Sequence, residues 1–571
     1  MKSRERSQEL PHHVLVAVAW PYVNGPPHLG HIAGNVLPAD IFARYHRLVG
    51  NHVLMVSGSD MHGTPTMLRA REEGVSAEEI ATRFHRAHSE AYERIGAAYD
   101  LYTHTDTPNH HAVSQDMFSK LLEAGYLREG TTQMPFCLVE QRFLSDRFVE
   151  GTCPHCGNPD ARGDQCDSCG KTLDPIELGG LRCKEDGSTP EFRETRHFFL
   201  RLSAFQDRLQ EWVSGQEHWR PNVRNFTLSL LQEGLHDRAI TRDIDWGIKV
   251  PVEGYEDKRI YVWFEAVIGY LSAAIEWSRS DRNTTGDPDA WKRWWHDPDA
   301  RPVYFQGKDN IPFHTIIWPA MLMGYGGLNL PDDVAANEFL NFAGRAFSKS
   351  TKWAVWALDY LERYDPDPLR YYLSAIMPET ADSDFTWEGY LQRNNDELVA
   401  TFGNFVHRVL TITHRNFEGA VPTPGELNET DRAAIAACDT ARDEVSRQLE
   451  ARRFRDGLRG VMALAQHGNR YVDAKAPWRQ IKTDRDAAAT TLWTALNLVS
   501  TLRTIAYPFL PFSADKMHAL LGEEGDVLSL GWAHREPEPG TPLPSPKPLF
   551  KKLDESIVQE EADRLTAAGT G

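Results

Sequence analysis

Residues 13–31, HVLVAVAWPYVNGPPHLGH, decide the fold class. They begin with a short apolar strand at 13–19 and break in a loop rich in proline and glycine. A helical pattern follows from about 28 to 48, and a second apolar strand lies at 52–57. Strand, turn, helix and strand form a βαβ unit, which predicts an α/β fold built on a parallel sheet. Ligands of such sheets bind at the carboxyl ends of the strands, so we expect the site there.

Composition excludes several classes of protein. The chain has 571 residues, of which 41% are hydrophobic and 25% charged, a normal globular mix for several domains. We expect no signal peptide in its N-terminal segment, and the longest apolar run near the N-terminus, Val14 to Trp20, is too short to cross a membrane. A net charge of −19 argues against nonspecific binding of nucleic acid, although a specific RNA partner stays open. Seven cysteines are too few for a disulfide scaffold, so we expect a cytoplasmic protein.

The remaining chain changes character twice. Residues 125–239 are rich in turns and form an expected insertion, after which the α/β pattern resumes with predicted strands at 259–264 and 303–307. From about 390 to 521, apolar residues recur at helical spacing, which predicts a helical bundle. After Gly531 the chain is rich in proline and charge, and we expect it to run over the surface.

A cysteine cluster within the insertion predicts a metal site. Residues 153–156 read CPHC and residues 166–169 read CDSC, which gives the spacing C-x2-C-x9-C-x2-C. Two such turns place four thiolates around one zinc ion, and a fully occupied site of this kind is structural. We therefore expect one Zn²⁺ per chain, with a disulfide pair or chance as the alternatives. The expected ligands are Cys153, Cys156, Cys166 and Cys169.

Two further motifs suit the binding of phosphate. His28 and His31 lie three residues apart at the start of a helix, whose N-terminal N–H groups attract anions. Lys349 stands between two serines after Gly344, in a loop that can close over a polyphosphate. Taken alone, the first motif could equally be two surface histidines, and the second is more simply a solvated loop.

Together these motifs resemble the HIGH and KMSKS signatures of class I aminoacyl-tRNA synthetases. The resemblance extends to blocks typical of the methionyl-tRNA synthetase family and covers roughly residues 12–520; the blocks are 19–25, 59–65, 261–270 and 307–314. It implies a Rossmann-type parallel-sheet catalytic domain with a zinc-binding insertion and a C-terminal α-helical anticodon-binding bundle. It also implies a ligase that activates L-methionine with ATP and Mg²⁺ and transfers it to methionine tRNA.

The resemblance implies the following units. The catalytic domain would occupy 1–124 and 240–335, the zinc-bearing insertion 125–239, the linking segment with the KMSKS-like loop 336–389, the anticodon-binding domain 390–545 and the C-terminal tail 546–571. Because the chain ends without the dimer-forming tRNA-binding domain of some relatives, we expect a monomer.

The same resemblance assigns site residues. Asp60 would bind the α-ammonium group of methionine, and a set of mostly aromatic residues would surround its side chain: Ala19, Trp20, Tyr22, Trp263, Ala266, Tyr270 and His314. Sulfur–ring contacts suit a thioether, although aromatic clusters are more often plain core. ATP would be bound by His28, His31, Gly307, Asp309 and Lys349, with the two histidines and Lys349 acting in catalysis. Asn404, Arg408 and Trp478 would read the anticodon, and a helix face with a core tryptophan is the alternative.

Three positions depart from the family pattern. Ala346 replaces the usual lysine at the start of the second signature, Thr351 replaces the arginine after it, and Glu265 replaces an aspartate beside the pocket. Arg345 or Lys352 could supply part of the missing charge. Two alternatives to the ordinary ligase therefore stay open: a specialised inhibitor-tolerant duplicate, and a catalytically weak paralogue that binds tRNA or a small ligand.

Overall fold

The structure, a computed structural model, describes residues 12–348 and 352–569. A five-stranded sheet lies at its centre, and its strands along the chain are β1 (His13–Val18), β2 (His52–Ser59), β3 (Leu101–His104), β4 (Arg301–Gly307) and β5 (Asp333–Asn337). The spatial order is β5-β4-β1-β2-β3, and every neighbouring pair is parallel. The predicted α/β fold with a parallel sheet is confirmed.

Strand β1 is apolar from Val14 to Val18 because both faces of the sheet are covered. Successive side chains of a strand point to opposite faces. Leu15 and Ala17 join a hydrophobic core that contains most of helix Val262–Ser278. The alternate residues join a second core shared with the C-terminal helices; they are Val14, Val16 and Val18. The two cores therefore meet at strand β1, whose carboxyl end leads into the loop before His28 and His31.

The helix after β1 starts at Leu29, passes through a π-helical turn at Ile32–Val36, continues as Leu37–Val49 and ends at Gly50 in the left-handed region. The other helices of the catalytic part are Thr64–Glu73, Ala77–Arg94, Pro108–Glu123, Val262–Ser278, Lys292–Trp295 and Trp318–Tyr325, the last preceded by a π-helical turn at Phe313–Ile317.

One predicted strand is wrong. Of residues 259–264, only Arg259–Ile260 is a strand, and a helix begins at Val262. This helix is buried on nearly all sides, so its sequence lacks the polar face that marks a surface helix. A continuous apolar run cannot be assigned to a strand or a buried helix by periodicity.

The turn-rich region folds as antiparallel sheets with two helices. Its strands are Leu127–Cys137, Arg142–Phe143, Val149–Thr152, Ala161–Arg162, Gly179–Cys183, Glu191–Leu200, Arg238–Ala239, Thr241–Arg242 and Arg259–Ile260, and its helices are Gln206–Ser214 and Pro221–Glu233. The two longest strands pair along their length. A small three-stranded sheet that carries the cysteine turns lies between them in the chain.

A short segment links the sheet to the helical part. Its strands are Leu340–Phe342, Arg345–Ala346 and Ser383–Phe385, with the first in the middle. Its helices are Ala357–Arg363, Pro366–Ala375 and Trp387–Gln392.

The predicted C-terminal helical bundle is confirmed. It consists of a π-helical stretch, Arg393–Gly403, and the helices Asn404–Asn416, Glu429–Glu450, Phe454–Lys475, Pro477–Thr483, Arg485–Ala506 and Pro511–Leu520. Three of these have 22 residues each, yet nowhere in 12–348 or 352–569 is a helix long and apolar enough to cross a membrane.

The segment after Gly531 differs in part from expectation. It ends in a helix, Ser556–Gly569, which the composition did not predict. Leu549, Phe550 and Ile557 are buried, and the ring of Phe550 contacts that of Phe402 at 5.8 Å. These few apolar side chains fasten an otherwise polar segment to the bundle.

Candidate active site

A cleft opens at the carboxyl ends of β1 and β4. Strand β1 has β2 on one side and β4 on the other, which is the switch point where ligands of parallel sheets bind. The cleft has an empty volume of about 1370 Å³, its open mouth included. Eight of the predicted site residues line it: Ala19, Trp20, Tyr22, His28, His31, Trp263, Gly307 and Asp309.

His28 and His31 form a reciprocal cap at the start of the long helix. Nδ1 of His28 accepts a hydrogen bond from the Gly30 N–H at 3.1 Å, and Nδ1 of His31 accepts one from the His28 N–H at 3.1 Å. Because an accepting nitrogen carries no proton, Nε2 is the protonated nitrogen of each neutral ring. A Cβ on Gly30 would lie 2.8 Å from the His28 ring, so this arrangement requires glycine.

Phe347 joins the two signature segments, and no pattern in the sequence indicates this contact. Its ring lies parallel to the His28 ring, with centroids 4.8 Å apart and an interplanar angle of 2°. The strand pair Leu340–Phe342 and Arg345–Ala346 brings it there. The guanidinium of Arg345 lies over Trp353, 5.1 Å from the ring centroid. Lys349 and Thr351 lie outside the described residues.

Trp20 is held between two glycines of different elements. A Cβ on Gly58 of β2 would lie 2.5 Å from its ring, and a Cβ on Gly269 of the helix Val262–Ser278 would lie 2.6 Å from it. Its indole also stacks on His110 with centroids 5.9 Å apart. The position of Trp20 therefore depends on two glycines that its own neighbourhood in the sequence does not reveal.

Asp60 carries a buried carboxylate beside this ring system. It lies directly after β2, where its backbone N–H donates to the Pro21 carbonyl and its own carbonyl accepts from Val23. Its Oδ1 atom has no hydrogen-bond partner among the described residues. Burial and the charge of Glu265 raise the pKa of Asp60 well above its usual range, whereas His62 lowers it. A buried carboxylate in this setting gains a partner from a cationic ligand group.

Three predicted methionine-site residues share one face of the helix Val262–Ser278. Trp263, Ala266 and Tyr270 follow at intervals of three and four residues. The Trp263 ring stacks on Phe313 at 4.3 Å and meets Tyr22 edge-on at 5.6 Å. Trp263 lines the cleft, whereas Ala266 and Tyr270 are buried on the same helix face and do not line it.

His314 closes this face. Its Nε2 atom accepts a hydrogen bond from the Tyr270 hydroxyl at 2.6 Å, and its Nδ1 donates to the Asn310 carbonyl at 3.0 Å. Burial lowers the pKa of His314 to about 4, so the ring is neutral near pH 7.

Glu265, the residue that departs from the family pattern, forms a buried ion pair. Its two carboxylate oxygens lie 2.9 and 3.0 Å from Nδ1 of His62. Burial alone would lower the pKa of His62, but the facing carboxylate raises it to about 10. Because His62 follows Asp60 by two residues, this pair fastens the Asp60 turn to the pocket helix.

Arg147 is a second residue that sequence reasoning missed. It comes from the turn-rich region, lines the cleft and lies 5.8 Å from the Tyr22 ring centroid. Burial would lower its pKa, but Asp164 and other nearby groups raise it above its usual range. No local motif marks Arg147, because it reaches the cleft only when the cysteine-bearing sheet packs beside it.

The four predicted cysteine ligands come together. One Sγ atom from each lies within 4.8 Å of the others, with Cys153–Cys169 at 4.0 Å and Cys156–Cys166 at 3.6 Å. These separations exceed a disulfide bond and match the roughly 3.8 Å edge of a tetrahedron with Zn–S of about 2.3 Å. Each turn ends in a glycine at positive φ, Gly157 or Gly170, whose N–H donates to the first cysteine's carbonyl. The donor set therefore fits one zinc ion.

Two further cysteines of the turn-rich region also lie together. Cys137 and Cys183 lie in the same region as a cluster with Asp186. The Cys137 thiol donates to the Asp186 carboxylate at 3.1 Å. Their separation in the sequence concealed this contact.

The predicted anticodon residues form a surface patch on the helical bundle. Asn404 is exposed and lies one turn before Arg408, whose guanidinium is 5.9 Å from the Trp478 ring centroid. Asp473 accepts a hydrogen bond from Arg408 at 2.6 Å. Trp478 is 39% exposed, so the alternative of a core tryptophan does not describe it.

Comparisons with known proteins agree with this geometry. Residues 14–410 match the family described as tRNA synthetases class I (M), and residues 421–570 match the anticodon binding domain of methionyl tRNA ligase. The chain is 51% identical over 585 residues to the methionine–tRNA ligase of Thermomicrobium roseum, which covers 98% of this chain and 100% of the relative. It is 53% identical over 552 residues to the corresponding ligase of Dehalococcoides mccartyi, with 97% and 99% covered.

Solved structures extend the similarity to the whole fold. The methionyl-tRNA synthetase of Mycobacterium tuberculosis bound by methionyl-adenylate superposes with a TM-score of 0.79 at 26% identity, covering 95% of this chain and 100% of that one. Its free form gives a TM-score of 0.71 at 26% identity, covering 95% and 98%.

Proposed function

The chain belongs to the methionyl-tRNA synthetase family of class I aminoacyl-tRNA synthetases, and we propose that it is an ATP-dependent methionine–tRNA ligase. In the first step the methionine carboxylate attacks the α-phosphorus of ATP, forming methionyl-adenylate and releasing pyrophosphate. In the second step a hydroxyl of the terminal adenosine of methionine tRNA attacks the carbonyl carbon, and AMP leaves. The observation that carries the proposal is one cleft lined by aromatic rings and a histidine pair, with the buried carboxylate of Asp60 next to it, where Asp60 pairs with the cleft-lining Tyr22.

Asp60 binds the α-ammonium group of methionine in this proposal. Its buried Oδ1, which has no hydrogen-bond partner among the described residues, supports the assignment. A buried carboxylate is stabilised by a cationic partner, and the substrate ammonium is such a partner. The thioether lies among Ala19, Trp20, Tyr22, Trp263, Ala266, Tyr270 and His314, whose rings provide polarizable contact surface. Holding both ends of the substrate fixes its carboxylate for attack.

His28 and His31 stabilise the phosphates. Their protonated Nε2 atoms donate to phosphate oxygens as negative charge develops on the leaving pyrophosphate. Lys349 adds a positive charge from the second signature loop. Gly307 and Asp309 line the nucleotide side of the cleft at the end of β4. A Cβ on Gly307 would lie 2.6 Å from the Asp309 carboxylate. Mg²⁺ enters with ATP and neutralises part of its charge.

The zinc of the proposal is structural. Cys153, Cys156, Cys166 and Cys169 hold it, and the closed four-thiolate set leaves no position for a reacting water. When bound, the ion contributes folding free energy to the small sheet that places Arg147 beside the cleft.

The anticodon of methionine tRNA meets the bundle at Asn404, Arg408 and Trp478. An exposed tryptophan stacks on an unpaired base, and an asparagine and an arginine hydrogen-bond base edges. We further propose that the enzyme acts in the cytoplasm.

Methionine-dependent exchange of pyrophosphate into ATP, followed by charging of methionine tRNA, tests the proposal. We expect both reactions with methionine, and only weak exchange with leucine at equal concentration. Exchange without methionine specificity, or no exchange, would reject the ligase and favour the weak paralogue. Because Ala346→Lys restores the family residue, faster exchange in that variant would show that the altered loop limits the rate.

A further inference from the structure

A second group of metal-ligating side chains lies apart from the cysteines, at the carboxyl ends of β2 and β3. It consists of His62, Asp106 and His111, and one ligand atom from each lies within 4.8 Å of the others. Oδ1 of Asp106 is 3.4 Å from Nε2 of His62 and 3.0 Å from Nε2 of His111. Two imidazoles and a carboxylate therefore converge on one point.

These distances fit a single ion. Zinc binds imidazole nitrogen at about 2.0–2.1 Å and carboxylate oxygen at about 2.0–2.2 Å, so neighbouring ligand atoms of a tetrahedral site lie roughly 3.4 Å apart. The two separations from Asp106 Oδ1 already have this size. Three protein ligands leave a fourth position for water.

The surroundings of His62 match a metal ligand's usual support. Metal-binding histidines generally donate their other ring nitrogen to a carboxylate, which fixes the orientation of the ring. Here Nδ1 of His62 faces both oxygens of Glu265, and the ring packs edge-on against Trp246 with centroids 5.3 Å apart. The orientation of the His62 ring is therefore fixed by Glu265 and Trp246.

The site is open on one side. The His62 side chain is 2% exposed, whereas those of Asp106 and His111 are 29% and 35% exposed. An ion from solvent can therefore reach the three ligands without unfolding of the surrounding elements.

We propose that His62, Asp106 and His111 bind one divalent transition-metal ion of the zinc class, at a site distinct from the four cysteines. Imidazole donors favour Zn²⁺, Co²⁺ and Ni²⁺ over Mg²⁺ and Ca²⁺. The site is coupled to the amino-acid pocket, because His62 is two residues from Asp60 and pairs with Glu265 on the pocket helix. A bound dication displaces the proton on Nε2 of His62, and it therefore adds about one unit of positive charge near Asp60, the group that receives the substrate ammonium in the proposed function.

Titration of the full chain with Co²⁺, after its cysteine site has been filled with zinc, tests the proposal. Since metal binding competes with protons, the titration is run at pH about 8. We expect one further equivalent with visible absorption of a nitrogen- and oxygen-ligated ion. His111→Asn and Asp106→Asn should weaken its affinity at least tenfold, and His236→Asn, a change of an exposed histidine elsewhere, should not. Matching thermal unfolding midpoints exclude loss of the fold.

Uptake of no Co²⁺ beyond the cysteine site, or equal uptake by all variants, would overturn the metal site. This readout is independent of ligase activity, so it separates the inference from the proposed function. The coupling has its own test in pyrophosphate exchange with and without Co²⁺. We expect the Michaelis constant for methionine to rise several-fold with Co²⁺ in the native chain and not in His111→Asn. An equal change in both would overturn the coupling.

Discussion

The hydroxyl of Tyr270 donates to Nε2 of His314 at 2.6 Å, in the neutral tautomer that carries its proton on Nδ1. An accepting nitrogen carries no proton, and the other ring nitrogen donates to the Asn310 carbonyl at 3.0 Å. Since both ring nitrogens already make hydrogen bonds, protonation of His314 would force the Tyr270 hydroxyl to change from donor to acceptor. The pocket wall thus depends on a histidine that burial keeps neutral.

This relationship predicts a pH dependence of stability. His314 takes up a proton near pH 4 in the folded chain and near 6.5 in the unfolded chain, so the unfolded state binds more protons between these values. The contribution of His314 is complete above about pH 6.5 and is lost as the pH falls towards 4, by about 1.4 kcal/mol per pH unit. Urea unfolding at pH 7.5 and 5.5 should show a steeper loss for the native chain than for His314→Gln. Equal losses would contradict the depressed pKa.

Asp60→Asn should selectively damage the use of methionine. The change keeps the size of the side chain but removes the counter-charge of the substrate ammonium, a loss of roughly 2–5 kcal/mol. We expect kcat/KM for methionine in pyrophosphate exchange to fall by about two powers of ten or more, with the Michaelis constant for ATP nearly unchanged. Asp257→Asn, at an exposed aspartate, is the matched control. If kcat/KM for ATP fell as far as kcat/KM for methionine, the result would argue against ammonium binding by Asp60.

The features predicted correctly from the sequence are those whose geometry depends on residues close together in the chain. The β1 strand, the capped histidines and the cysteine turns are short segments whose geometry follows from local pattern, and all were found. Contacts between distant segments were not predicted, as for Phe347 on His28, Arg147 beside Tyr22 and Gly58 against Trp20. The helix after Tyr261 was misread because a segment buried on all sides has no amphipathic period.

Gly58→Ala and Gly269→Ala should each impair the methionine pocket through Trp20. The added methyl groups would lie 2.5 and 2.6 Å from its ring, so the indole has to move. At Gly58 the methyl group would also lie 2.7 Å from the Thr103 carbonyl oxygen, so Gly269→Ala is the cleaner test of Trp20. We expect the Michaelis constant for methionine to rise at least tenfold, because misplacement by about 1 Å can cost roughly a hundredfold. At Gly215 the added methyl meets its nearest atom at 3.5 Å, so Gly215→Ala is the control. Native methionine kinetics in both pocket variants would show that Trp20 does not shape the site.

Trp478→Ala should separate the two steps of the reaction. Loss of a base stack costs on the order of 1–3 kcal/mol, so kcat/KM for methionine tRNA should fall roughly five- to a hundredfold. Pyrophosphate exchange without tRNA should stay unchanged, because the residues that line the cleft come from outside the bundle. Trp478→Phe should retain most of the charging activity, and Phe512→Ala, at a similarly exposed aromatic residue, should retain all of it. Equal losses of exchange and charging would reject the anticodon assignment.

Phe347 should act in the activation step through His28. Its ring covers the imidazole at 4.8 Å with an interplanar angle of 2°, while the Gly30 N–H holds Nδ1. Removing a stacked ring costs roughly 0.5–1.5 kcal/mol, and it takes away one of the contacts that orient His28 towards the phosphate that its Nε2 is proposed to contact. Phe347→Ala should therefore slow single-turnover adenylate formation about tenfold.

The same variant should leave the Michaelis constant for methionine within a small factor, because the methionine pocket is built from other elements. Phe347→Tyr keeps the stacked ring and should be nearly normal, and Phe192→Ala removes an exposed phenylalanine of the turn-rich region as a control. If Phe347→Ala forms adenylate at the native rate, the contact between the two signature segments is only packing. If it raises the methionine constant instead, Phe347 supports the pocket rather than the phosphate site.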